Sequence, residues 1–519
     1  MLVRRAAPGN ISLMVIRDST VEIAAVELLD DGKRAPGAIF PPLSAKNKIL
    51  FAFGDTMDGF NTTAIATFHL FYLTAVCGLS GSLAGASVFI SLLIDGFVDP
   101  LIGSLSDNWH SRFGRRHPFL FVSIFPLVLT LGLIFSMPRS LTGFWLFVYA
   151  TVVILIMRIA YSAFSLPFLA MGAELTSDYV ERSRLIVYRV FFNTMAALLT
   201  TFLGYRVFMA GGTGLLNRAA YIPFGWSIAA MMGIGMLICA FGTLNQRYRL
   251  HSPARSSAPI GRRLIAEVIE IFRSRSFVVL FTVVLLFWIS QGSAGVLALH
   301  AAKFFWKLPN EIIQYMAIST AMGGLAGIPM AGLIARLLEK RTVVAWTLIV
   351  NCAQQGLLPV MRIFHLLPDN GPLLYGILVG LVFVYGLSGA VSGIFFQSMM
   401  ADATDEHELL FGSRREGLYF AGITLSAKAA IAVGALIGGV ALDAIGFPRD
   451  LSQNISLALH LPAKAITELG IVAGPLPAVI SVVTLVLLLA YRIDRSRQMD
   501  ITQRLAQRRA NPARNDHPA

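Results

Sequence analysis

LLIDGFVDPLIGSLSDNWHSRFGRRHP, from Leu92 to Pro118, is an apolar run that holds two carboxylates and ends in a short basic loop. Asp95 and Asp99 are four residues apart, so a helix places both side chains on one face. A carboxylate at bilayer depth costs at least ~2.5 kcal/mol, and two on one face also repel each other. The stretch therefore predicts a membrane helix whose paired acids hold a cation or a proton.

The composition of the whole chain supports a polytopic membrane protein. Its 519 residues are 56% hydrophobic and only 14% charged, whereas soluble domains carry about 25% charged residues. Cys77, Cys239 and Cys352 lie in apolar runs, without the number or spacing of a disulfide framework or a metal site. The net charge of +13 comes from loops between apolar runs, so we expect a lipid bilayer as partner and no nucleic acid.

Apolar windows long enough to cross a ~30 Å hydrocarbon core divide the chain into twelve spans. The predicted spans are residues 47–76, 82–105, 118–137, 142–172, 185–210, 222–245, 276–302, 310–335, 342–362, 371–401, 415–446 and 467–493.

The distribution of basic residues predicts the orientation of these spans. Most of the 42 Lys and Arg residues fall in the tails and inner loops if both termini face the cytoplasm. We expect a monomeric, multi-pass protein of the inner membrane, made of five parts. They are a poorly ordered N-terminal tail (1–46), a six-helix half (47–245), a basic linker (246–275), a second six-helix half (276–493) and a C-terminal tail (494–519).

Similar residues follow the second and eighth spans, which are counterparts in the two halves. Gly103, Asp107 and the Gly114–Arg116 segment follow the second span, and Gly332 and the Glu339–Arg341 segment follow the eighth. This similarity predicts a two-fold repeat with a binding site between the halves. For the second loop, ordinary enrichment of basic residues on the cytoplasmic side is the alternative.

Three motifs carry a resemblance to a known family. They are DGFVDPLIGSLSD (Asp95–Asp107) with RFGRRHP (Arg112–Pro118), LPFLAMGAELTSDYVERSRLIVYR (Leu166–Arg189) and ADATDEHELLFGSRREGLYFAGITLSAK (Ala401–Lys428). Their order and composition resemble the glycoside-pentoside-hexuronide:cation symporter family, the melibiose permease-like branch of the major facilitator superfamily.

The resemblance implies an all-α membrane protein with twelve transmembrane helices in two six-helix halves. It also implies alternating-access symport of a sugar, glycoside or hexuronate with Na⁺ or H⁺, and no other cofactor. By the same resemblance Asp95 and Asp99 bind the coupling ion, as metal ligands if it is Na⁺. Ser162 contributes a hydroxyl to that site, and Lys428 couples it to the substrate site. The alternative for the acids is a structural network with Lys428 or Arg189.

The substrate side departs from the melibiose permease-like pattern. The two carboxylates that hold a galactoside there align with Gly59 and Ser165, and an aromatic that stacks on the sugar aligns with Leu169. Arg158 lies instead in the middle of the fourth span. It either recognises a substrate carboxylate or pairs internally with Asp58 or Asp95. The residues that we assign to substrate binding are Asp58, Arg158, Ser165 and Arg189.

A further set of charged residues lies at inner helix ends, outside the hydrocarbon region. We interpret it as a gate network of the two halves. Its members are Asp107, Arg115, Arg116, Glu174, Arg182, Asp402 and Arg414.

Two other functions compete with sugar transport. A lysolipid-like substrate is compatible with the 36 phenylalanines, and a non-transporting sensor could share the fold, although neither tail has the length of an output domain. An enzyme is not expected, because the chain has no nucleophile-base pair at a readable spacing and no GxxxxGK[ST] phosphate loop.

Overall fold

The computed structural model describes residues 3–6, 10–13, 42–109, 111–176, 178–249, 269–412 and 416–510. Within these ranges eleven helices are long and apolar enough to cross a membrane. Residues 45–76 add a twelfth helical run, built from α, 3₁₀ and π turns. The prediction of an all-α membrane protein is confirmed.

We number the spanning segments α1 to α12 in chain order, with α13 for the helix that follows. α1 comprises Ala45–Ala52, Phe53–Asp55, Thr56–Ala64, Ile65–His69 and Tyr72–Val76; α2 is Gly81–Asn108; α3 is His117–Ile134; α4 is Gly143–Leu175; α5 is Tyr179–Phe202 and continues as a π turn, Leu203–Phe208; α6 is Arg218–Thr243. α7 is Arg275–His300 and continues as Ala301–Phe305; α8 is Asn310–Leu337; α9 comprises Lys340–Cys352, Ala353–Leu357 and Leu358–Ile363; α10 is Pro372–Phe411; α11 is Glu416–Ala444; α12 comprises Ala463–Ala473 and Pro475–Leu488; α13 is Arg495–Ala510. Short 3₁₀ turns lie at Gly214–Leu216 and Leu244–Arg249, and a short helix, Ile455–Leu459, precedes α12.

The observed span ends differ from the predicted ones by up to ten residues, and both tails contain elements that were not predicted. α10 continues ten residues past its predicted end and stops at Gly412, which adopts φ +74° and donates its N–H to the Glu408 carbonyl at 3.0 Å. A count of apolar residues misses such an extension, because a helix can continue beyond the bilayer. In the N-terminal tail, β1 (Val3–Ala6) and β2 (Asn10–Leu13) form an antiparallel pair where no element was expected.

The C-terminal tail also contains an element that the sequence analysis did not predict. α13 begins after Asp494, which accepts the backbone N–H of Arg497 at 2.8 Å. That hydrogen bond holds the pKa of Asp494 below its usual value. Ile501 and Leu505 then bury the apolar face of α13 against the C-terminal half.

The backbone shows the two-fold repeat more clearly than the sequence does. α1 ends in the π turn Tyr72–Val76 and then Gly78 at φ +76°; α7 ends in the π turn Ala301–Phe305 and then Lys307 at φ +53°. Equivalent hydrogen bonds close both turns, from Cys77 N–H to Tyr72 O and from Trp306 N–H to Ala301 O, each at 2.8 Å. A lysine thus adopts a conformation that favours glycine, which hides the equivalence from sequence comparison.

α2 and α11 join the two halves along a close helix contact. A Cβ on Gly81 would lie 2.3 Å from the Gly439 carbonyl oxygen, and one on Gly85 would lie 2.5 Å from the Ala435 carbonyl oxygen. Small residues allow this approach of backbone to backbone. The contact fixes which residues of α2 and α11 face each other deeper in the membrane.

Further contacts join the halves at one end of the bundle. We call it the far end, opposite the linker end where α6 finishes and α7 begins. The bonds include Thr74 Oγ1 to His300 Nε2 at 2.8 Å, Asn310 Nδ2 to Met209 O at 2.6 Å and Arg206 Nε to Gln314 Oε1 at 3.0 Å. The two halves are therefore held together at the far end.

Candidate functional site

The centre of the site is an ion pair between the halves. Lys428 of α11 donates from Nζ to Asp95 Oδ2 at 2.8 Å and to Asp99 Oδ2. The predicted shared face of Asp95 and Asp99 explains how one ammonium reaches both acids. Asp95 is 2% exposed, whereas the side chains of Asp99 and Lys428 are 23% and 30% exposed. The site therefore opens on the Asp99 side.

Two further oxygens complete the surroundings of these acids. Ser162 Oγ of α4 donates to Asp95 Oδ1 at 3.0 Å, and Asp99 Oδ1 is buried without a hydrogen-bond partner among the described residues. An unpaired carboxylate oxygen is costly unless a ligand satisfies it. The oxygen set fits a hard monovalent ion such as Na⁺, or a proton. In the described ranges no group of three or more His, Cys, Asp or Glu could hold a metal.

The side chains of this cluster divide unequally between the halves. Asp95, Asp99 and Ser162 belong to α2 and α4 of the N-terminal half, and Lys428 alone comes from the C-terminal half. A cation bound by the three N-terminal side chains would therefore compete with the only group of this cluster that crosses the interface.

Asp58 lies in a second polar cluster, within the N-terminal half. Its carboxylate accepts from Tyr161 OH at 2.5 Å, from Thr62 Oγ1 at 2.8 Å and from Asn193 Nδ2 at 2.9 Å. These donors are all neutral, so no counter-ion is bonded to Asp58 in the described structure.

Asp55, which the sequence analysis missed, lies beside this cluster. Arg189 of α5 forms an ion pair with Asp55 Oδ1 at 3.1 Å, and its guanidinium lies 5.1 Å from the ring centroid of Phe168. The signal was present in the sequence, because Asp55 and Asp58 are three residues apart in an apolar run and share a helix face. Arg189, which the sequence analysis assigned to substrate binding, is therefore engaged in an ion pair with Asp55 in this structure.

Arg158 has no acidic partner in the described part of the chain. It is half-buried, its Nε is buried without a hydrogen bond, and it lies close enough to His69 and Tyr161 to act on them electrostatically. Asp58 and Asp95, its predicted internal partners, are bonded to other groups. Ser165 lies on the next turns of α4, also half-buried.

The chain matches the model of a known protein family over most of its length. The model of the family described as "MFS/sugar transport protein" matches residues 50–495. The chain belongs to this family. The protein is therefore a membrane transporter and not an enzyme.

Individual relatives agree with the assignment. The chain is 24% identical to a "Putative glycoside/cation symporter YagG" of Escherichia coli (strain K12), over 90% of this chain and 96% of the relative. It is also 24% identical to an "Isoprimeverose transporter" of Lactiplantibacillus pentosus, over 89% and 92%. Among solved structures, a bacterial homolog of the human lysosomal transporter Spinster shares the fold, with a TM-score of 0.62, 10% identity and coverage of 87% and 98%.

The predicted gate residues of this transporter form separate networks in each half. In the N-terminal half Glu174 Oε1 accepts from Arg115 at 2.5 Å and from Arg116 at 2.8 Å, and Arg116 also pairs with Asp107 at 2.6 Å. Together these bonds join the linker-end segments of α2, α3 and α4.

The remaining gate residues also bond locally. Arg182 donates to the carbonyls of Ala173 and Thr176 at 3.1 and 3.5 Å, and Lys340 pairs with Asp402 at 2.6 Å within the C-terminal half. Arg414 lies outside the described residues. The described members thus brace the helix ends of one half each.

Proposed function

We propose that the protein is a cation-coupled symporter of a sugar or glycoside, with Asp95, Asp99 and Ser162 as the cation site. The observation that carries the proposal is the position of Lys428, which bonds both carboxylates from the opposite half. The relatives named as a glycoside/cation symporter and an isoprimeverose transporter support the substrate class.

The same geometry gives a coupling mechanism. An entering Na⁺ or proton takes over the charge of Asp95 and Asp99 and displaces the ammonium of Lys428. Displacement of the ammonium weakens the ionic link between the halves, because the side chains that would hold the cation all belong to the N-terminal half. Cation binding thereby lowers the cost of the movement that alternates access.

Arg158 and Asp58 define the kind of sugar that fits. Asp58 has oxygen lone pairs left for a substrate hydroxyl, and Arg158 offers a guanidinium without an acidic partner in the described structure. A guanidinium binds a carboxylate with two parallel hydrogen bonds. We propose a hexuronate or hexuronide as the preferred substrate.

We further propose that the linker end faces the cytoplasm of a bacterial cell. The 246–275 segment and the linker-end loops carry clustered arginines, including Arg112, Arg115 and Arg116, and basic loops stay on the cytoplasmic side.

Uptake into proteoliposomes tests the function directly. Wild-type protein should accumulate a radiolabelled glucuronide against its gradient when a Na⁺ or H⁺ gradient is imposed. Asp99→Asn should lose this accumulation and retain equilibrative exchange, because the mutant side chain cannot hold the ion. Asp500→Asn, an exposed acid on α13 paired with Arg504, is the matched control and should behave like wild type.

Three outcomes would contradict the proposal. Undiminished accumulation by Asp99→Asn would remove the cation site. Competition by lysolipids, with no sugar carried, would favour the lysolipid alternative. Substrate binding without transport under any gradient would favour the sensor.

A further inference from the structure

A cavity of about 130 Å³ lies at the linker end of the C-terminal half, away from the transport site. It opens to the surface between the start of α7, the last turns of α10, the segment after α12 and the first turn of α13. Its lining residues are Arg275, Ser276, Glu406, Leu410, Ala490, Arg492 and Arg497.

The cavity carries an excess of positive charge. Three arginines from three segments face one acid, Glu406, which is 4% exposed and bonds Arg497 at 2.5 Å. The side chains of Arg275 and Arg492 make no hydrogen bond or ion pair within the described part of the chain. Both side chains are exposed, so their guanidinium groups are accessible to an anion from outside the protein.

The surroundings favour a tetrahedral oxyanion. Guanidinium groups present paired N–H donors that match phosphate oxygens. Arg275 and Ser276 are the first residues of a 26-residue helix, whose N-terminus adds a favourable positive potential. A cavity of this volume accommodates one phosphate group.

The depth of the cavity points to lipid as the source of that phosphate. α7 begins and α12 ends beside it, so it lies at the level where the hydrocarbon core gives way to head groups. Basic pockets between membrane helices bind anionic head groups in this position. We propose that the cavity is a phosphate-binding site that takes the head group of an anionic phospholipid.

A bound phosphate would fasten α13 to the membrane domain. α13 already docks on α10 through Arg497 with Glu406, through Gln498 with Asp405 at 3.2 Å and through Arg508 with the Leu409 carbonyl at 2.7 Å. The phosphate would add a bridge from Arg497 to Arg275 and Arg492, on two other segments. This inference concerns lipid binding and is independent of the proposed sugar transport.

Lipid titration of the purified full-length protein tests the site. Native mass spectrometry and thermal unfolding are followed while phosphatidylglycerol, phosphatidylcholine or inorganic phosphate is added. The test variant is Arg275→Gln/Arg492→Gln. The matched control, Arg273→Gln/Arg504→Gln, removes the same charge from two other exposed arginines of the same end, which do not line the cavity.

We expect phosphatidylglycerol to bind the wild type and the control at least fivefold more tightly than it binds the test variant, with a matching difference in the rise of Tm. Phosphatidylcholine should show no such difference. Saturation by inorganic phosphate with the same dependence on Arg275 and Arg492 would support the phosphate site and identify a free solute as its source. Equal binding by test and control variants, or no phosphate-bearing ligand that binds the wild type, would overturn the inference.

Discussion

The carboxylate of Asp443, at the end of α11, accepts the backbone N–H of Ser82, at the start of α2, at 2.8 Å. It also accepts the N–H of Gly81 at 3.0 Å. A helix of one half is therefore capped by a side chain of the other half, where the free amides and helix dipole favour a negative charge. Together with the Lys428 ion pair, this bond attaches α2 to α11 at two depths.

Asp443→Asn should weaken the contact between the two halves at the far end. The amide keeps one acceptor oxygen but turns its NH₂ group towards backbone donors, so about 1.5–3 kcal/mol of charge-assisted bonding is at risk. Cys77, which is 7% exposed at the end of α1, reports the opening. In a Cys239→Ser/Cys352→Ser background, an impermeant maleimide added to cells should label Cys77 about tenfold faster in the mutant.

Asp369→Asn is the control for this experiment, because Asp369 is an exposed acid in a far-end loop. Equal labelling of Cys77 in the Asp443 and Asp369 variants would show that the interhelical cap does not hold the two halves together at the far end.

Gly85→Ala should damage the contact between the halves. The new Cβ would lie 2.5 Å from the Ala435 carbonyl and 3.0 Å from the Leu436 Cα, and backbone atoms cannot move aside as a flexible side chain does. We expect a loss of about 1–3 kcal/mol in stability, measured as a lower Tm in detergent. Gly103→Ala, on the same helix with open space around it, should leave Tm unchanged or raise it. A Tm that falls equally in both variants would contradict the interpretation.

Lys428→Ala should tighten cation binding and slow transport. Without the ammonium, Asp95 and Asp99 are left uncompensated, so they hold Na⁺ or a proton more strongly and release it more slowly. We expect the cation concentration for half-maximal substrate binding to fall at least about tenfold, or ~1.4 kcal/mol, while uptake slows. Equilibrium binding titrations and initial uptake rates measure the two effects. A variant with weaker cation binding would show that Lys428 helps to hold the ion.

Arg158→Gln should remove a preference for acidic sugars. The proposed bidentate bond is worth about 1.5–3 kcal/mol, so a glucuronide should lose at least about tenfold in competition against its neutral glucoside. Arg158→Lys should keep part of the preference, because lysine retains the charge but loses the planar fork. If the neutral glycoside competes better in the wild type and the ranking stays the same in Arg158→Gln, the anionic substrate is excluded and the symporter is not.

The sequence predicted those parts of the site that depend on one helix. The spacing of Asp95 and Asp99 fixes their common face because helical geometry is local, and the resemblance supplied Lys428 as a neighbour. The bonds of Asp58, and the lack of an acidic partner for Arg158 among the described residues, could not be predicted. Both depend on which faces of α1, α4 and α5 meet.

The missed elements have similar causes. α13 was overlooked because its stabilising contacts, such as Arg497 with Glu406, are made with a distant part of the chain. Lys307 concealed the equivalence of the α1 and α7 ends, because the repeat is kept in the backbone and not in the residue type.

The charges around Lys428 bear on how the membrane voltage acts during transport. With all three side chains ionised, Asp95, Asp99 and Lys428 carry a net charge of −1, which one bound Na⁺ or H⁺ neutralises. Each charge moved through the membrane is worth about 2.3 kcal/mol per 100 mV.

The nearby acids and bases, Asp55, Asp58, Arg158 and Arg189, cancel in sign. A protein loaded with the cation and a neutral sugar therefore moves no net charge, whereas a protein loaded with the cation and the proposed hexuronate moves one negative charge inward. The empty protein moves one negative charge outward as it turns back. In a cell that is negative inside, the voltage pushes this empty site outward. For a neutral sugar the voltage would then act on the return of the empty protein, and a current would be recorded only in that step. For a hexuronate the charge moved by the loaded protein and the charge moved by the empty protein would cancel over the cycle.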